Sequence, residues 1–397
     1  MPCLYAIGDM HGCLDAYTAL LRAAGLIDSA GHWSGGRSIL VQTGDLIDRG
    51  PRSIANLRLT RRLQEEAKAK GGCFEVLLGG HEVFALAAAD GNDWALLSWF
   101  SVQNGGALTL LEWLSEQDTS VDAYDEESLS SMYGRFFAEF SSGGLGKWLR
   151  AAPTSVKIED AVFVHAGISS DVPETAESLN EAARRCLSDL RAYLISQNDP
   201  VLGRRGPYWV RDIGADEVAR ALRGNGASRM ICGHNPAPWV TSHFGGGLIV
   251  IDTGVVRGGP VLGIQLEGSD VLVFDGEGRR HEVDTCRRHD QPAARRAVAH
   301  ARGGRFNPGD LVEFYHSPLT DGRAVLKVQG IWGAGKELYY SGPQAAFIPD
   351  RKGSAVRFNH NETWTYPAAF IERVGIPVRD ALEKMPPELS RACHLLS

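Results

Sequence analysis

The chain has 397 residues, 44% apolar and 22% charged, with a net charge of −7. That length suggests about two or three domains with a sizeable core, and the negative balance excludes a nucleic-acid binder that works through overall charge. No run reaches the roughly 18 apolar residues that cross a bilayer. Met1 passes almost at once into "CLYAIGD" without a basic, apolar leader, and the seven cysteines show no CxxC spacing. A cytoplasmic protein with reduced thiols is therefore expected, with neither a membrane nor a specific nucleic acid as partner.

In chain order, one device repeats through residues 1–285. A short Val/Ile/Leu run ends in Gly plus Asp or His: "CLYAIGDMHG" (3–12), "SILVQTGDLIDRG" (38–50), "FEVLLGGHE" (74–82), "AVFVHAG" (161–167), "RMICGH" (229–234) and "GLIVIDTG" (247–254). Runs of this kind read as strands buried on both faces. "LDAYTALLRAAGL" (14–26) and "SIANLRLTRRLQEEAKAK" (53–70) read as the helices between them. The layout is a layered α/β sheet covered by helices, with polar residues at the strand ends where ligands gather. Residues 90–150 are helical and aromatic-rich, read either as an inserted cap beside the site or as helices packing a sheet edge. Residues 286–305 hold six Arg against one Asp and read as a basic linker, with a docking segment as the alternative. Short aromatic strands then suit a small all-β barrel of SH3-like type over 306–376, followed by a tail over 377–397. Tyr315, Trp332, Tyr339 and Trp364 either line a groove for a protein partner or fill that barrel's core.

"GDMHG" (8–12), "GDLIDRG" (44–50) and "GGHE" (79–82) carry the chemistry, with His165 and His234 at later strand tips. Mixed carboxylate and imidazole donors suit Mn²⁺, Fe or Zn²⁺ better than Ca²⁺ or Mg²⁺. A carboxylate such as Asp45 can serve two ions at once, and a pair of ions activates water and polarises a phosphoryl group. Taken singly, Asp9 and Asp45 read equally well as helix caps, His165 and His234 as structural histidines, and Arg211 as a surface charge. Cys13 and Cys232 read as structural thiols.

The order GDxHG, GDxxDRG, GGHE, HAG and GH resembles the calcineurin-like metallophosphoesterases, in their phosphoprotein phosphatase branch, over about residues 3–255. "GPYWVRD" (206–212) and "NGGALTL" (104–110) are similar to bacterial members, which include protein phosphatases and symmetric dinucleoside tetraphosphatases. The resemblance implies a metallophosphoesterase-like β-sandwich flanked by helices, with two divalent ions, Mn²⁺ foremost. It implies one metal on Asp9, His11 and Asp45 and a second on Asp45, His165 and His234. Arg49 and Arg211 would grip phosphate. His81 would be the general acid, held and kept protonated by Asp48, with Glu82 in support. The family's pattern has asparagine before that histidine, as a ligand of the second metal, where this chain has Gly80. The resemblance therefore implies a weakened second metal, for which Asn104 is a candidate substitute. A slower enzyme, a change made to trap a complex, and an impaired phosphate-binding regulator are the three readings of Gly80. The expected activity is hydrolysis of phosphomonoesters, foremost phosphoserine and phosphothreonine in proteins, with dinucleoside polyphosphates as the alternative substrate.

Overall fold

The computed structural model describes residues 2–101, 103–117, 126–191, 199–285 and, further on, strands at 311–317, 322–327, 330–334, 337–349, 363–367 and 376–377. The chain divides into two compact units, Met1–His289 and Asp290–Ser397.

The first unit opens with β1 (Leu4–Ile7), α1 (Leu14–Ala23), β2 (Ile39–Gln42), α2 (Ser53–Ala69), β3 (Cys73–Val76) and α3 (Gly80–Ala89). Four helices follow, α4 (Asp93–Trp99), α5 (Gly106–Ser115), α6 (Glu126–Ser141) and α7 (Gly144–Ala151). Next come β4 (Ser155–Ile158), β5 (Ala161–Val164), α8 (Ala176–Leu187), α9 (Ala215–Asn225), β6 (Arg229–Cys232), β7 (Thr241–His243) and β8 (Leu248–Val250). The unit closes with β9 (Leu262–Glu267), β10 (Asp270–Asp275), β11 (Arg280–His281) and β12 (Asp284–Thr285).

These strands make two mixed sheets, ordered β11-β10-β9-β1-β2-β3 and β12-β7-β8-β6-β5-β4. β1, β2 and β3 run parallel, as do β5, β6 and β8. Their polar C-terminal loops therefore emerge at one end of each sheet. The apolar runs explain the layering. Successive strand residues face opposite ways, so Leu4 and Ala6 enter the core shared with Phe163, Ile231 and Ile249 of the other sheet. Tyr5 and Ile7 instead face the core built with Tyr17, Leu20, Ile54 and Leu57 of α1 and α2. On the far side Val162 and Val164 pack against Leu179 of α8 and Val218 of α9. Both faces of both sheets are thus covered. Phe163 is fully buried between the sheets, and truncating it to Ala would cost about 3–5 kcal/mol.

The helices of 90–150 join the first sheet's helical layer. Trp99, Phe136 and Phe140 are fully buried and meet as aromatic pairs 5.3–5.8 Å apart, continuous with the core under α1–α3. They also reach the site, through Trp99 and Thr109.

In the second unit β13 (Leu311–Ser317), β14 (Gly322–Lys327), β15 (Gly330–Ala334), β16 (Glu337–Pro349), β17 (Thr363–Pro367) and β18 (Ile376–Pro377) pair antiparallel. Their order is β15-β16-β14-β13-β18, with β17 also on β16. The expected linker over 286–305 and the tail beyond 377 lie outside the described residues, as do the stretches joining these strands. Among the described residues no helix is long and apolar enough to cross a membrane.

Candidate metal centre

Each motif is the loop that leaves a parallel strand. The loop after β1 and the loop after β2 are tied together, since the amides of Met10 and His11 donate to the Asp45 carbonyl at 3.0 and 2.9 Å. The Gln42 side chain clamps the same junction, donating to the Gly8 and Gly44 carbonyls and accepting from the Gly44 amide. Glu82, in the first turn of α3, accepts from the amides of Asp45, Leu46, Ile47 and Gly79 at 2.9, 2.8, 3.3 and 2.9 Å. With glycine at the cap position only this reverse half of a capping box exists. Glu82 thereby fixes the Asp45 loop to the start of α3. Burial and the neighbouring Asp45 push its carboxyl up to about 7.

Strain concentrates here. Of seven described non-glycine residues with positive φ, five are His11, Asp45, Asp48, Arg49 and His234. Such conformations cost about 1–3 kcal/mol each and persist where the surroundings over-determine them, typically at functional sites.

The side chains converge. Asp45 Oδ2 lies 3.5 Å from His11 Nε2 and 3.4 Å from His165 Nε2. Two donor groups form around it, one of Asp45, His165 and His234, the other of His11, Asp45 and His81. The first is the expected second-metal set. The other places His81 beside His11 and Asp45. Asp9 is in neither group; both its carboxylate oxygens accept from the His234 amide at 3.1 Å. Asp9 and Asp45 cap neither of the following helices, whose cap positions are Cys13 and Arg52.

The donor chemistry fits divalent cations. His165 is fully buried, and its Nδ1 lies 2.8 Å from the Thr43 carbonyl. That contact makes Nδ1 the protonated nitrogen and leaves Nε2 a lone-pair donor. Nε2 is buried without a hydrogen-bond partner, an arrangement that is costly unless a ligand satisfies it. Burial lowers the His165 pKa, but Asp45 and Asp9 prevail and raise it to about 10. A proton thus balances the carboxylates where a cation would otherwise do so. His11 is held in the same tautomer by the Ile47 carbonyl at 2.8 Å. Arg49 Nη1 donates to its Nε2 at 2.6 Å. Burial and Arg49 lower the His11 pKa to about 3, so this imidazole is neutral and available as a ligand.

His81 Nδ1 lies 2.7 Å from Asp48 Oδ2. Asp48 also accepts from Trp99 Nε1 at 2.8 Å and Thr109 Oγ1 at 2.6 Å. Burial raises the Asp48 carboxyl, while burial and Arg49 lower the His81 imidazole. Burial thus works against the charged form of both partners. Burial and Arg49 together act against the protonated His81 that the resemblance implies beside Asp48.

Arg49 and Arg211 line one cavity of about 390 Å³ together with His11, Asp45, His81 and His234. Arg211 Nη1 is fixed by the His234 carbonyl at 3.3 Å and Asn235 Oδ1 at 3.1 Å. Asn104 lines the cavity, but its amide is spent on the Ser98 carbonyl at 2.8 Å.

The glycine doublet has two separate causes. A Cβ on Gly79 would sit 2.2 Å from Asp45 Oδ1 and 2.3 Å from Asp45 N, whereas a Cβ on Gly80 would sit 2.1 Å from Trp209 Cζ3. Trp209 thus fills the space any side chain at 80 would need, packing on Phe84 with ring centroids 4.7 Å apart. Sequence reading missed this pairing, along with the roles of Thr109, Trp99, Asp252 and Arg257. Asp252 stood in plain view at the tip of "GLIVIDTG". It is buried, lines the cavity and accepts from the Gly254 amide at 2.8 Å. Cys232 is buried, which pushes its thiol up to about 12, in keeping with an inert structural thiol.

The cluster offers carboxylate and imidazole donors that could hold divalent cations, at the strand ends of a double sheet. The calcineurin-like phosphoesterase family profile matches residues 4–246, and the chain belongs to that family; it is a hydrolase acting on phosphoric esters. Shewanella-like protein phosphatase 2 of Arabidopsis thaliana is 29% identical over 265 residues, 58% of this chain and 65% of that protein. A symmetrical bis(5'-nucleosyl)-tetraphosphatase of Neisseria gonorrhoeae is 30% identical over 164 residues, 41% of this chain and 43% of that one. In fold, the chain is similar to a cold-active protein-tyrosine phosphatase of a psychrophilic Shewanella, with a TM-score of 0.54 at 23% identity, covering 72% and 81% of the two chains.

Proposed function

We propose that the protein removes phosphoryl groups from phosphoserine or phosphothreonine in proteins, using two divalent ions with Mn²⁺ foremost. The observation that carries this reading is Asp45, set between two histidines at 3.4 and 3.5 Å, beneath a cavity lined by Arg49 and Arg211. Asp45, His165 and His234 would hold one ion. His11 and Asp45, with Asp9 or His81 beside them, would hold the other. When bound, such ions supply Lewis-acid polarisation of the phosphoryl group and an activated water.

The chain's own residues do the rest. Arg49 and Arg211 bind phosphate oxygens through guanidinium forks that stay charged at any physiological pH. A phosphate dianion drawing Arg49 toward itself would relieve the charge that lowers His81. The His81–Asp48 pair would then gain a proton to give to the leaving oxygen. Trp99 and Thr109 hold Asp48 in place through that exchange.

Two observations favour protein substrates over nucleotides. Trp99 is buried and committed to Asp48, and neither it nor the exposed Trp94 lines the cavity. The alignment with the protein phosphatase of Arabidopsis thaliana is also longer, 265 against 164 residues for the tetraphosphatase. The small β-barrel read over 306–376 would recruit a protein partner.

Elemental analysis of the purified protein, with turnover of p-nitrophenyl phosphate in added Mn²⁺, tests the reading. Two ions per chain and Mn²⁺-dependent turnover are expected. Turnover that survives complete chelation would overturn it.

A further inference from the structure

The cavity has a third arginine. Arg257 lines it alongside Arg49 and Arg211, and its guanidinium has no ion-pair or hydrogen-bond partner among the described residues. Its charge reaches the others, because it is among the causes that lower the pKa values of His11, Arg49 and Arg211. Arg211, by contrast, is tied to the His234 carbonyl and Asn235, and Arg49 to the Gln103 carbonyl and His11. Arg257 and Arg211 are exposed, while Arg49 is half-buried.

The loop that carries it is firmly built. Asp252 accepts from the Gly254 amide, the amides of Arg257 and Gly259 donate to the Gly254 carbonyl, and Thr253 Oγ1 donates to the Pro260 carbonyl at 2.6 Å. The neighbouring Val256 is buried at 7% exposure and anchors the turn. An arginine on an anchored loop, with no partner among the described residues and beside two arginines lining the same cavity, is free to take an anion from outside the protein.

We infer that Arg257 binds a second anionic group of the substrate, so that a phosphorylated residue flanked by acidic side chains is preferred over one flanked by neutral side chains. This rests on the reading of the site as a phosphoprotein phosphatase and specifies which phosphoproteins it takes. An exposed pair of this kind is worth about a fivefold difference in affinity at low salt, shrinking as salt is added.

The test measures binding, which does not depend on turnover. Fluorescent phosphoserine peptides flanked by glutamate or by alanine are titrated into the wild-type protein, Arg257→Ala and Arg257→Lys, in low and high salt. The wild type should prefer the acidic peptide about fivefold. Arg257→Ala should bring the ratio to about one, and Arg257→Lys should recover part of it, because the charge returns without the fork. A wild-type ratio of one, or an equal loss on both peptides, overturns the inference, the latter because Arg257 would then grip the reacting phosphate. Inorganic pyrophosphate against phosphate is the third arm. An Arg257-dependent preference for pyrophosphate with no peptide preference would assign the second anion to a polyphosphate and likewise overturn it. Turnover of p-nitrophenyl phosphate by the wild type separately decides whether the phosphatase reading stands.

Discussion

The two halves of the site are built differently. The first sheet supplies the loops after β1, β2 and β3, which carry Asp9, His11, Asp45, Asp48, Arg49 and His81. Four of these six residues sit at positive φ, and buried side chains such as Glu82 and Gln42 lock their backbone. The second sheet supplies His165, Arg211, His234 and Asp252, of which only His234 is at positive φ. The carboxylate-rich half stores strain and needs an internal framework to keep it. The histidine half rests on ordinary strand ends and single hydrogen bonds to carbonyls. Gly80, where the resemblance implies asparagine, falls in the strained half. It is matched across the cleft by Trp209, which belongs to the second half.

The largest effect should come from the residue shared by both halves. Asp45→Asn removes charge from both donor groups at once, so metal content should fall below two ions per chain. Turnover of p-nitrophenyl phosphate should fall by more than the roughly 10–100-fold typical of outer partners. Retention of both ions would break the idea that one carboxylate joins the halves. Gly80→Asn is expected to destabilise the fold, because its Cβ would sit 2.1 Å from Trp209 and overpacking costs about 1–3 kcal/mol. Thermal melting should show the loss, and Gly80→Asn with Trp209→Ala should recover it and bind the second ion more tightly by calorimetry. If Gly80→Asn alone melts like the wild type, Trp209 is not what holds the position to glycine.

A smaller change should follow Trp99→Phe. It keeps the ring in its aromatic cluster but removes one donor from Asp48, and turnover should drop about tenfold while metal content stays at the wild-type value. Loss of metal instead would make Trp99 a support of the ligands. The smallest effect lies away from the site. Glu66 is held down to about 2, with burial opposing the amide of Trp33, His32 and Arg62. A depressed carboxylate stabilises above its unfolded pKa, so this contribution should be lost as pH falls from about 4.5 toward 2. Glu66→Gln should show a shallower loss of melting temperature over that window.

Strand tips, glycine turns and motif order were legible in the chain because a doubly covered parallel strand needs a continuous apolar run. The loops that follow can be polar only at its end. Helices 14–23 and 53–69 were likewise readable from their periodicity. Residues 90–150 were not, since an aromatic-rich helix reads the same whether it caps a cleft or thickens a core. Trp99 does the second while reaching the site through one N–H.

By itself the sequence determined which residue types stand at which strand ends, and so the chemistry and the family. Only the tertiary structure decided that His81 pairs with Asp48 beside Arg49, that Trp209 takes the room beside Gly80, and that Arg257 has no partner among the described residues. Those are facts of distance between segments up to about 200 residues apart. They arise from packing two sheets face to face, and no local pattern encodes them.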